Sequence, residues 1–320
     1  MAKEMARAAA QLSKAKCSRV NQRSYTRNWQ LYVMLIPTIA YFVIFRYIPM
    51  LGIQIAFKDF IPMQGIWGSH FVGFKHFVRF FNGYYAGRLI WNTLSLSFIQ
   101  LIFSFPIPII LALLLNEVRS QRYKKIAQTV SYAPHFLSTV VIVGLMTSLL
   151  SPRNGVVNTG LMALGLIKEP LYFITEENWF KPLYILSTIW QESGWNAVVY
   201  MSALAAVDTQ LYEAARVDGA GRFRCIINIT IPNIAPTMIT MLILNCGKVM
   251  NVGFEKAFLM QNDLNIAASD IITTYVYRMG IMQGQYSFGT AVGLFNSAVN
   301  AALILCVNAI SKRVSETSLW

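Results

Sequence analysis

Eight residues set in otherwise apolar stretches carry most of the chemistry in this chain: Trp190, Glu192, Trp195, Asn196, Asn245, Lys248, Asn296 and Asn300. Glu192 and Asn196 stand at i, i+4, as do Asn296 and Asn300, while Asn245 and Lys248 stand at i, i+3. Each pair therefore shares one helix face. Carboxylate, ammonium and amide groups hydrogen-bond polar solutes, and indole rings offer flat faces for stacking. An ion at a bilayer centre costs about 2.5–3.5 kcal/mol on insertion scales, so Glu192 and Lys248 need a partner or water. Two arrangements meet that need. Either the groups line a polar path, with Glu192 facing Lys248, or they bond helices to one another.

The elements that must hold these residues follow from composition. The chain has 320 residues, of which 55% are hydrophobic and 13% charged, with a mean hydropathy of +0.47. Soluble domains carry about 25% charged residues, so composition excludes that class. Six apolar runs are long enough to cross a ~30 Å hydrocarbon core as helices: Leu31–Phe57, Ile90–Leu115, Ile126–Leu150, Leu183–Val207, Ile234–Phe254 and Phe288–Ile310. The expected fold is an all-α polytopic membrane protein. Residues 1–30 form a basic leader, 31–311 a single membrane domain and 312–320 a tail.

Charge fixes the expected orientation. The leader holds seven cations against one acid, Glu4, and the second loop on the same side adds Arg119, Arg122, Lys124 and Lys125 against Glu117. Summed over alternate loops, one side holds 16 cations and 6 acids and the other 10 and 7. The positive-inside rule then puts both termini in the cytoplasm. The net charge of +13 reflects topology and anionic lipid rather than nucleic acid. No cleavable signal peptide is expected, because the first apolar run exceeds an h-region.

Between the fourth and fifth runs lies a charged hairpin, residues 208–236. Asp208 or Thr209 can cap a first helix that places Leu211, Ala214 and Ala215 on one side. Adjacent alanines permit close backbone approach. Asp218-Gly219 breaks the helix, since glycine takes φ > 0 without a Cβ clash. Phe223, Ile226 and Ile227 then return at helical spacing. Pro232 is expected to end that second helix, and Asn233 with Pro236 to begin the next span.

The register Glu213-Ala214-Ala215-Arg216-Val217-Asp218-Gly219-Ala220, followed by Phe223, Ile231-Pro232 and Pro236, resembles the EAA loop of ABC importer permeases. These are the inner-membrane components of binding-protein-dependent transport systems, with the MetI-like fold. The runs Tyr132-Ala133-Pro134-His135-Phe136, Val252-Gly253-Phe254-Glu255 and Gly284-Gln285-Tyr286-Ser287 are similar to a carbohydrate branch that includes polygalacturonan- and alginate-type oligosaccharide permeases. The resemblance implies a six-span type I importer permease in a bacterial cytoplasmic membrane. It also implies a second permease subunit, a cytoplasmic ATPase dimer that uses ATP and Mg, and an extracytoplasmic solute-binding protein. Glu213, Ala214, Ala215, Asp218, Gly219 and Ala220 would form the ATPase-coupling region. The eight intramembrane residues would then line a sugar path.

Catalysis by the chain itself finds no support. No GxxxxGK[ST] occurs; Gly160–Leu166 begins like one but has leucine where lysine is required. There is no nucleophile elbow and no pair of catalytic carboxylates within one span. Cys17, Cys225, Cys246 and Cys306 are scattered, and His70, His76 and His135 have no ligand partner at helical spacing, so no bound metal or cofactor is expected. The alternative from another class is a secondary transporter that uses Glu192 and Lys248 for ion coupling.

Overall fold

The computed structural model describes residues 29–247, 249–250 and 253–315. The basic leader and Lys248 lie outside them. The described chain is built of helices, with one two-residue antiparallel ribbon between β1 (Lys58–Asp59) and β2 (His70–Phe71). Four helices are long and apolar enough to cross a membrane: α1 (Trp29–Phe57), then Ala86–Glu117, Arg222–Cys246 and Tyr286–Lys312.

Helix α1 stands apart from the rest. None of residues 29–55 is buried, and its final turn, Leu51–Phe57, packs on the last helix. The aromatic external segment that follows is expected as an amphipathic helix on the membrane interface. It forms instead a short helix, α2 (Lys75–Phe81), folded back onto the last helix. Phe80 is buried 5.8 Å from Phe295, and Arg79 lies over Phe288 at 4.6 Å.

Next come α3 (Ala86–Glu117), with Pro106 and Pro108 inside it, α4 (Gln121–Tyr132) and α5 (Thr139–Leu149). The expected third span, Ile126–Leu150, is not one straight helix. It breaks over Ala133–Phe136, and the two halves meet at 99°. Two local features make the break. Pro134 cannot continue the α-helical ladder, and Ser138 caps the new helix by accepting from Val141 N at 3.3 Å.

Helix α6 (Glu177–Ala205) runs 29 residues, about 43 Å at 1.5 Å per residue, long enough to span although more polar than the four named above. It is the central post, packed against α3, α4 and the 133–136 break. Gly194 permits the contact with α4, because a Cβ there would collide with the Ser131 carbonyl.

Beyond α6 lie α7 (Thr209–Val217) and α8 (Arg222–Cys246). Pro232 does not end a helix here. A π-turn over Ile226–Thr230 widens the coil ahead of the proline, with Ile231 N donating to Ile226 O, and the helix continues through Pro236. The Asn233 amide bonds Ile229 O at 2.7 Å, satisfying a freed carbonyl.

The chain then forms α9 (Phe254–Met260), a polar external cap and the last helix, α10 (Tyr286–Ser315). Asp270, 1% exposed, pairs with Arg278 and accepts from Thr274 at 2.9 Å. Asn92 of α3 donates to Ala267 O and Asp270 O, which ties the cap to the helical body. The apolar core lies on either side of this arrangement. Leu96, Phe180, Tyr184 and Ile271 pack near the cap, and Ile109, Ala197, Tyr200 and Ile234 toward the other end.

Candidate functional site

A polar cavity of about 230 Å³ opens between α3, α6 and α8. Ser97, Gln100 and Ser104 of α3 face Thr188, Glu192 and Asn196 of α6, with Asn245 at the end of α8. The α6 residues recur every four positions and the α3 residues at i, i+3 and i+7, so each set forms one stripe on its helix. Hydroxyls and amides make up most of this polar lining, which suits a ligand that both donates and accepts hydrogen bonds.

Glu192 is held from the broken span. His135 Nδ1 lies 3.0 Å from its Oε2, and the imidazole stacks parallel on Trp195 with ring centres 4.7 Å apart. Glu192 and Trp195 are one turn apart on α6, so a single ring is gripped twice. Gln191 of the same turn donates to Leu137 O, a carbonyl that the break takes out of the helical ladder. Thus the 133–138 elbow and the 191–195 turn satisfy one another.

Behind Thr188 sits a second cation. Lys256 of α9, 6% exposed, donates to Thr188 Oγ1 at 3.1 Å and lies 5.8 Å from the centre of the Tyr184 ring. Burial pushes its ammonium down to about 8, and the charge on Glu192 draws it back up. Lys256 lies outside the candidate spans.

Of the eight residues singled out from sequence, Glu192, Asn196 and Asn245 share this cavity. Trp195 reaches its edge through His135. Trp190 is two positions from Glu192, hence 200° around the helix, and faces an apolar groove with Ile142, Leu145 and Leu186. Asn296 and Asn300 both bond the backbone of Met250: Asn296 donates to its carbonyl at 3.3 Å, and Asn300 accepts from its N–H at 2.9 Å. Lys248 lies outside the described residues. Sequence reasoning missed Ser97, Gln100 and Ser104, whose polar stripe inside an apolar run was a readable sign. It also missed His135 and Lys256, which come from elements distant in sequence.

The charged hairpin is built from recognisable turn chemistry. Asp208 caps α7 by accepting from Gln210 N at 2.9 Å. At the other end Ala220 N donates to Ala215 O at 2.9 Å and Gly219 N to Arg216 O at 3.0 Å, the paired bonds of a Schellman turn. Gly219 takes φ 77 to close it. Ala215 and Ala220 are therefore the two ends of one turn bond. Tyr212 meets Thr230 across the hairpin at 3.0 Å, bracing α7 against the π-turn. The tip is apolar and uncovered, with Val217 88% and Phe223 76% exposed.

Residues 81–316 match the family of binding-protein-dependent transport system inner membrane components. The chain is 47% identical to Protein LplB of Bacillus subtilis, over 92% of both chains. It is 45% identical to the polygalacturonan/rhamnogalacturonan transport system permease protein YteP of the same organism, over 91% of this chain and 90% of that one. Its fold superposes with a TM-score of 0.85 and 43% identity on a chain from the crystal structure of a bacterial alginate ABC transporter in complex with alginate pentasaccharide-bound periplasmic protein. The match covers 93% of this chain and 99% of that one. With a family match across most of its length and relatives of this identity, the chain belongs to the binding-protein-dependent transport system inner membrane components.

Proposed function

We propose that this chain is the permease subunit of an ATP-driven oligosaccharide importer, forming half of the pathway across a bacterial cytoplasmic membrane. The relatives support an oligosaccharide as cargo, since their printed names include polygalacturonan and alginate systems. Six crossings fit the helices: the four apolar ones, the bent pair α4–α5, and α6. The charge asymmetry of the loops supports cytoplasmic termini. A second permease subunit completes the pathway, an extracytoplasmic binding protein delivers cargo, and a cytoplasmic ATPase pair supplies the energy with ATP and Mg.

One observation carries the coupling role. The uncovered apolar tip at Val217 and Phe223 is joined without a break in the helix to the span that carries Asn245. In this reading Glu213, Ala214 and Ala215 present the docking face, and Asp218, Gly219 and Ala220 hold the turn. ATP-driven closure of the ATPase pair displaces the hairpin, and the spans rock so that the cavity faces each side in turn.

Co-purification tests it. A stable ATPase and a second permease are expected to come down with the tagged chain, and Gly219→Trp is expected to release the ATPase while leaving the permease pair intact. Uptake that follows an ion gradient and persists without the ATPase would overturn the assignment in favour of a secondary transporter.

A further inference from the structure

The cavity is flanked by a cation that its own lining does not neutralise. Glu192 is the cavity's acid among the described residues, and the hydrogen-bonded partner of its carboxylate is His135. No carboxylate among the described residues forms an ion pair with Lys256. Its Thr188 bond uses one of three N–H donors, and the Tyr184 face takes part of the remaining charge. Burying an ammonium without an anion is costly, and such groups are retained where a ligand supplies the missing charge.

Neutral sugars do not supply it. Their hydroxyls match Ser97, Gln100, Asn196 and Asn245, which already line the wall. A sugar carboxylate entering beside Thr188 meets a lysine side chain whose flexible stem allows the ammonium to swing past the threonine hydroxyl. The bond formed there is charge-assisted and shielded from bulk water, hence stronger than any hydroxyl contact along the same wall.

We propose that Lys256 is a specificity-determining residue that receives a carboxylate of the cargo, so that the transported oligosaccharide contains uronate units. The proposal rests on the oligosaccharide-permease reading above. Glu192, held back by His135, leaves Lys256 available rather than consuming it.

The test uses the complete complex of both permeases, ATPase pair and binding protein, reconstituted in liposomes. Its probes are galacturonate and mannuronate trisaccharides and their carboxyl-reduced neutral counterparts. Lys256→Gln is expected to lower the uptake kcat/KM for the uronates by about tenfold, the worth of one charge-assisted bond, and to leave the neutral sugars unchanged. Lys256→Arg is expected to restore most of the loss, which separates recognition from misfolding. A second readout omits the binding protein: uronate trisaccharide should raise the melting temperature of the detergent-purified wild-type complex and not that of Lys256→Gln. Equal losses for acidic and neutral sugars, or none for either, would overturn the role of Lys256. Wild-type uptake of neutral sugars alone would overturn it while leaving the permease reading intact. Failure of every oligosaccharide to be taken up would overturn both.

Discussion

The imidazole of His135 bonds the carboxylate of Glu192 at 3.0 Å across 57 residues of sequence. It thereby fastens the elbow of a broken span to the middle of the central helix. Both side chains are partly exposed, so solvent screening limits the pair to about 0.5 kcal/mol. A double-mutant cycle with His135→Ala and Glu192→Gln, read as thermal stability in detergent, should return a coupling of that order. Stimulated ATPase activity should fall further than stability, because both changes free the elbow beside the cavity. Additive effects on both readouts would refute the fastening role.

Gly194 should tolerate no side chain. A methyl group there collides with the Ser131 carbonyl, and backbone cannot rotate away as a side chain can. Gly194→Ala is expected to destabilise the chain by about 1–3 kcal/mol, the usual range for overpacking, measured by thermal unfolding in detergent.

The turn at Gly219 gives a subtler outcome. An L-residue at φ 77 costs about 1–2 kcal/mol, so Gly219→Ala should loosen the Schellman turn without unfolding the spans. The expected signature is faster hydrogen exchange at the Gly219 and Ala220 amides and weaker retention of the ATPase on an affinity column.

Acid should loosen the external ribbon. A hydrogen bond from Lys75 is the largest influence on Asp59, and with the nearby charges of Lys75 and His76 it outweighs burial, lowering the carboxyl below its ordinary value of 3.8. A depressed carboxylate stabilises the fold fully above its unfolded value, and the contribution disappears as pH falls below that value. Exchange at residues 58–71 should therefore accelerate between about pH 4 and pH 2, and Asp59→Asn should flatten that dependence while raising exchange at neutral pH.

Removing Asp270 should be the most damaging of these changes. Its carboxylate is buried and serves both Arg278 and Thr274. Breaking a buried pair from one side costs about 3–5 kcal/mol, and the partial exposure of Arg278 argues for the lower end. Limited proteolysis of Asp270→Asn should cut first within 255–285. Resistance equal to wild type would show that the cap is held by its other bonds.

How far the sequence foretells this structure depends on the range of the interactions. The hairpin is legible residue by residue, because caps and Schellman turns are decided within a few positions: Asp208, Ala215, Gly219 and Ala220 announce themselves. Long apolar runs announce α1, α3 and α10 for the same reason. The elbow at 133–138 is half legible. Pro134 signals a break, but the 99° angle depends on Gln191 and Gly194 from another helix. Pro232 misleads, since a π-turn and the Asn233 amide let the helix pass through it. Asn296 and Asn300 carry the same amides as Asn196, yet they serve the Met250 backbone. Which amide meets a cavity and which meets a turn is set by the packing of whole helices, and no local pattern encodes it.

The continuity of α8 has a mechanical meaning. Phe223 at the uncovered tip and Asn245 at the cavity are 22 residues apart on one helix, about 33 Å along its axis. A lever works only if handle and load share a stiff beam, and here the π-turn and two prolines are absorbed without cutting the beam. A push of a few ångströms at Phe223 need not be relayed through side-chain contacts to reach Asn245; it arrives as a tilt of the same solid body.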